Sequence, residues 1–229
     1  MNKKIFWITM LFIVVPLPEG KESIVLITGF EPFGEYIINP SQLIVEEVNG
    51  MKIGNASIIG IVLPVNFSNA IAIVENAIKH YNPKIVISIG LESYAHSIHI
   101  EKIGLNLKSE GFRKFSRINA SAPLFYTSTI PTSAIIKEIK KAGISARQSI
   151  FAGTYVCNAV MYSVLHYIAM NNMSTKAGFI HVPPLISQAK YGMELEEMVG
   201  AIIISIETCL KEKGVAMGNS IVSSKYKWS

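Results

Sequence analysis

The chain has 229 residues, half of them apolar and 16% charged, with a mean hydropathy of +0.37, which excludes a disordered protein and fits one sizeable α/β domain rather than two. The net charge of +5 is thinly spread, with arginine only at Arg113, Arg117 and Arg147, so the basic stripe that nucleic-acid binding requires is missing. Two cysteines, Cys157 and Cys209, are too few for a disulfide framework, and with no aspartate in the chain any catalytic carboxylate must be a glutamate.

Residues 1–22 stand apart from the rest. Lys3 and Lys4 precede an apolar run at 5–15, too short to span a bilayer, which takes roughly 20 residues. The charged start and apolar middle match a secretory signal, but the small-x-small cleavage site is missing, and an upstream extension or a misassigned start is the other reading. From residue 23 to 229 strands and helices alternate. An apolar run at 24–28 ends at Gly29 and reads as a buried strand. Pro40 opens a helix that reaches 48 and stops at Asn49-Gly50. A strand at 57–63 ends at Pro64, a helix covers 69–80, and a strand at 84–89 follows Asn82-Pro83. Further on the pattern predicts a strand at 97–107, a helix at 132–141 and a strand at 144–152. A helix at 158–170, a strand at 178–182 and an amphipathic helix at 194–213 complete the series. The alternation predicts a single-domain three-layer α/β/α sandwich around a mainly parallel twisted sheet. The polar stretch 108–123 is expected to be an unstructured loop, either a lid or simply mobile.

Cys157 follows the 144–152 strand and sits where the next helix begins. There the helix dipole and free backbone N–H groups favour a thiolate and offer a site for an oxyanion. The alternative is an inert core thiol, which is the default for Cys209 among Ile204, Ile206 and Leu210. A nucleophilic thiol needs a base. His166 lies nine residues along the same helix, on its opposite side, and reads as a packing residue. His181 ends the 178–182 strand, on the rim that strand C-termini share with helix N-termini. Glu101 lies where the apolar parity of its strand changes, from Ile98 and Ile100 to Ile103 and Leu105, as at a bulge. It is either the inward-facing third member or an exposed edge glutamate paired with a lysine. His96 and His99 point to opposite faces of a strand, and no metal-ligand spacing is present. The two phenylalanines of Gly29-Phe30-Glu31-Pro32-Phe33-Gly34 suggest an apolar pocket rather than a phosphate loop.

Four segments together resemble the pyroglutamyl peptidase type I (pyrrolidone-carboxylate peptidase) family of cysteine peptidases. They are Gly29 to Gly34 with Asn39-Pro40-Ser41, Ile89-Gly90-Leu91 with Glu101-Lys102-Ile103-Gly104-Leu105-Asn106-Leu107, Ala152-Gly153-Thr154-Tyr155-Val156-Cys157-Asn158, and Gly178-Phe179-Ile180-His181-Val182-Pro183. The spacing of 24 between cysteine and histidine (181 − 157) also agrees. The resemblance implies a triad of Cys157, His181 and Glu101, with a pocket lined by Phe30, Phe33, Tyr155 and Val156 and Asn39 as a nearby polar contact. It implies removal of amino-terminal pyroglutamate from peptides through a thioester, no cofactor or metal, a homotetramer and a cytoplasmic location, with export the alternative if residues 1–22 act as a signal. The chain departs from the family pattern in two places. Tyr94-Ala95 stands where a Gly-Arg pair is usual, and the 56-residue step from Glu101 to Cys157 (157 − 101) is shorter than usual. These departures carry the alternative reading, a family member that binds pyroglutamyl or other neutral N-terminal groups with weakened or no turnover.

Overall fold

The β-branched runs assemble into an eight-stranded sheet in the computed structural model, which describes residues 22–109 and 111–211. The elements are β1 (Ser23–Phe30), α1 (Pro40–Val48), β2 (Lys52–Ile53), β3 (Ala56–Leu63), α2 (Phe67–Tyr81), β4 (Ile85–Leu91) and β5 (Ile98–Leu105). There follow β6 (Lys108–Ser109), β7 (Phe115–Ser116), β8 (Phe125–Thr127), α3 (Thr132–Lys141), β9 (Ala146–Phe151), α4 (Val156–Met170), β10 (Lys176–Val182) and α5 (Leu195–Lys211). The apolar run at 5–15 and its two readings lie outside the described residues.

The sheet order is β2-β3-β1-β4-β10-β5-β8, with β9 paired to β5. Pairing is parallel from β3 through β1 and β4 to β10, and again between β5 and β9. It is antiparallel where β5 meets β10 and β8, and where β2 meets β3. Both faces are covered, as the near-continuous Val/Ile/Leu content of the central strands requires. Ile27, Ile87, Ile98, Ile100 and Ile180 point to the layer of α1, α3 and α5. Leu26, Val86, Ala177 and Phe179 point to α2 and α4 on the other side.

Three sequence expectations change. The parity change at Glu101 is not a bulge, because β5 runs in unbroken register with β9 from Ile98↔Ala146 through Glu101↔Ser149 to Ile103↔Phe151. His99 and Glu101 are buried on one face of β5, whereas Lys102 on the other face is exposed, so the apolar parity changes without an inserted residue. The stretch 108–123 is not structureless: β6 and β7 pair as a small antiparallel ribbon. Asn106 holds the segment after it, accepting from the Asn119 N–H at 2.9 Å and donating to the Asn119 carbonyl at 2.7 Å. The helix expected from residue 158 begins two residues earlier, at Val156, so Cys157 lies within its first turn.

Candidate active site

The site is assembled on the α4 side of the sheet from the ends of β4 and β10, the middle of β5 and one helix start. On β10, His181 stands opposite His99 of β5 and beside Gly90 of β4. Alternate residues of a strand share a face, so Glu101 lies diagonally across from His181, within reach of a side-chain pair. The Nδ1–H of His181 donates to Glu101 Oε1 at 2.7 Å. Glu101 is only 1% exposed, and its other oxygen, Oε2, has no hydrogen-bond partner among the described residues. With Nδ1 committed to the carboxylate, Nε2 is the ring nitrogen left for the hydrogen bond that links His181 to Cys157.

Two features bring the thiol to this point. Gly90 supplies the space, since a Cβ there would lie 2.8 Å from Cys157 Sγ and 2.9 Å from Phe179 Cζ. Asn158 supplies the anchor. Fully buried, it accepts from the Leu105 N–H at 2.8 Å and donates to the carbonyls of Leu105 and Leu107 at 2.9 and 2.8 Å. The start of α4 is thereby tied to the end of the strand that carries Glu101. No side chain caps α4 at Tyr155, so the first-turn N–H groups are available to a developing oxyanion.

Burial is the largest single influence on His181 and pushes its pKa down. The hydrogen bonds to Cys157 and Glu101 and the charges of both outweigh it, raising the value from 6.5 to about 10. Both neighbours thus favour the charged form of the imidazole.

Cys157, His181 and Glu101 open into a cavity of about 450 Å³. Phe30, Phe33, Asn39, Tyr155 and Val156 all line it, so the residues singled out from the sequence converge on one space. Phe30 is buried and tilts against Phe179 with ring centroids 6.4 Å apart, whereas Tyr155 is 70% exposed at the rim. Asn39 is the N-cap of α1: its Oδ1 accepts from the backbone N–H and hydroxyl of Ser41, and its Nδ2 donates to the Glu31 carbonyl. The Nδ2 group has a second proton beyond the one given to Glu31. The Ser41 hydroxyl in turn accepts from the Phe30 N–H at 3.0 Å, which fixes the aromatic wall. His166 and Cys209 do not line the cavity. The former bonds Tyr126 Oη and Asn119 Nδ2, and the latter is buried in the opposite core layer.

Sequence reasoning missed Glu92, His99 and Arg147. Glu92 lines the cavity; the buried His99 bridges it to Arg147, accepting from Arg147 Nε–H at 2.8 Å. Acceptance at Nε2 puts the remaining ring proton on Nδ1, which donates to Glu92 Oε2 at 2.5 Å. One atom each of Glu92, His99 and Glu101 lies within 4.8 Å of the others, but Glu92 and Arg147 engage both nitrogens of His99 and Glu101 bonds His181, so His99 has no free nitrogen to offer a metal. His96 lies apart, stacked on Tyr191 at 4.4 Å. The signal that could have found His99 was its shared parity with Glu101, two residues along the same strand.

Residues 23–212 match the family model described as pyroglutamyl peptidase. The pyrrolidone-carboxylate peptidase of Pyrococcus furiosus is 38% identical over 206 residues, covering 81% of this chain and 99% of that protein. The Mycobacterium tuberculosis protein of the same name is 34% identical, with 86% of this chain and 90% of that one covered. Among solved structures, pyroglutamyl peptidase I of Bacillus amyloliquefaciens superposes with a TM-score of 0.78 at 33% identity, over 82% of this chain and 97% of that one. Pyrrolidone carboxyl peptidase of Thermococcus litoralis gives 0.79 at 35% identity, over 86% and 98%. By family model, sequence and fold together, the chain belongs to the pyroglutamyl peptidase family.

Proposed function

We infer that this chain is a cysteine peptidase that removes amino-terminal pyroglutamate from peptides, with Cys157 as nucleophile, His181 as acid and base, and Glu101 as the group that orients the imidazole. The observation that carries the reading is the meeting of the Cys157–His181–Glu101 chain with an apolar, aromatic-walled cavity. A pyroglutamyl group is a neutral lactam without an ammonium, so it calls for apolar walls and a few amide hydrogen bonds rather than an amine-binding carboxylate or a metal. His181 takes the Cys157 proton, the resulting thiolate attacks the pyroglutamyl carbonyl, and first-turn N–H groups of α4 receive the oxyanion. His181 protonates the leaving amine, and water then hydrolyses the thioester with His181 as base.

Alkylation with iodoacetamide tests the reading. Activity on a pyroglutamyl amide should fall in proportion to modification of Cys157, and a metal chelator should leave it intact. Activity lost to the chelator and restored by zinc would overturn the thiol mechanism. The cytoplasm is the proposed compartment, because a thiol nucleophile must stay reduced. Among the described residues no helix is long and apolar enough to cross a membrane. A homotetramer is proposed from the family resemblance, and exposed apolar side chains such as Ile150, 66% exposed on β9, support burial against another copy. Light scattering of the purified chain tests that assembly.

A further inference from the structure

Glu92 is a carboxylate in a cavity that a neutral substrate does not require to be charged. It follows the C-terminal end of β4, its side chain is half-exposed, and one of its oxygens comes within 4.8 Å of the Glu101 carboxylate. Two carboxylates at this distance repel each other unless cations offset them. The offset comes from both sides. Behind Glu92, the buried His99 donates Nδ1–H to it, and Arg147 fixes that tautomer by donating to the far ring nitrogen. In front stands His181, whose charge favours ionised Glu92 after the His99 hydrogen bond and against partial burial. Attraction is mutual, so whatever His181 does for the Glu92 carboxylate, Glu92 does for the imidazolium.

We propose that Glu92 is an outer carboxylate of the catalytic centre: held in place by the His99–Arg147 chain, it stabilises the protonated form of His181 through space. Glu92 is thus a positioning residue, acting on the reacting groups without touching them. The proposal rests on the reading of Cys157, His181 and Glu101 as the reacting groups. Among the described residues, the charged and titratable groups facing His181 are Cys157 from α4, Glu101 and the register partner His99 from β5, and Glu92 from the end of β4, with Arg147 bonded to His99. Glu101 sets the ring's orientation by a direct bond, whereas Glu92 adds charge at longer range, where partial exposure screens it.

The test is a charge series at position 92: the full wild-type chain, Glu92→Gln and Glu92→Lys, each with labelled histidine. The His181 resonance is assigned by its loss in His181→Asn and followed by NMR against pH. A through-space effect predicts a graded acid shift of the His181 titration, about half to one pH unit per charge step, shrinking in high salt. The basic limb of kcat/KM for a pyroglutamyl amide should move the same way. Because the NMR readout needs no peptide, it stands even if the chain hydrolyses no pyroglutamyl substrate. Identical His181 titrations in all three proteins, or equal shifts for Gln and Lys, would overturn the proposal, since a packing role has no reason to follow the sign of the charge.

Discussion

Cys157 and Cys209 carry the same thiol in opposite surroundings. Cys209 is 3% exposed among Ile206 and Leu210, while Cys157 faces the cavity beside His181. Cys157→Ser should lower pyroglutamyl-amide hydrolysis by several powers of ten and Cys209→Ser should not, with circular dichroism confirming that both variants fold. Equal losses in two folded proteins would detach the thiol from the chemistry. Glu101→Gln keeps shape and a hydrogen bond but removes the charge facing the imidazolium, so kcat should fall about ten- to a thousandfold with KM little changed. Steady-state kinetics separates the two terms; an unchanged kcat would leave Cys157 and His181 as a dyad. At this scale the sequence was legible where local rules apply. A thiol at a helix start and a histidine at a strand end follow from element order alone. Glu92, His99 and Arg147 did not emerge, because they are joined across 7 and 48 residues by pairings that depend on register.

At the scale of elements, the position of α4 decides whether the thiol meets the imidazole. Gly90 leaves room for Sγ, and a methyl group there must displace Cys157 or Phe179. Gly90→Ala should cost about 1–3 kcal/mol through overpacking. A displacement near 1 Å should lower kcat/KM about a hundredfold. Urea unfolding and kinetics on one preparation test both effects. Asn158→Ala removes three part-buried hydrogen bonds from α4 to Leu105 and Leu107, at the end of β5 and just past it, and takes a partner from the Leu105 N–H and the Leu107 carbonyl, at a cost of roughly 2–4 kcal/mol. An unfolding midpoint unchanged from wild type would show that α4 is held by apolar packing alone. The early start of α4 was not legible, because neither Tyr155 nor Val156 is a capping residue by type. Nor was the β6–β7 ribbon, whose two-residue strands are too short for any alternation to register.

At the scale of the whole molecule, two covered sheet faces follow from the apolar strands, and that much was legible from alternation. The placement of β5, antiparallel to β10 and parallel to β9, was not, since a short loop after β4 and a long return through β8 and α3 leave both directions open. That placement sets Glu101 diagonally across from His181. The same pair couples the fold to pH. Because the folded-state pKa of His181 is raised, its protonation contributes stability in full below about pH 6.5, and the contribution is lost as pH rises through about 10. Urea midpoints should therefore decline more steeply over this window in wild type than in Glu101→Gln; parallel curves would place the coupling elsewhere. The most direct measurement of the central claim is hydrolysis of a chromogenic pyroglutamyl amide by the purified chain, run beside Cys157→Ser. The wild-type chain should release free pyroglutamate, and the variant none above background. A folded wild-type chain without activity, or activity that survives the loss of the Cys157 thiol, would contradict it.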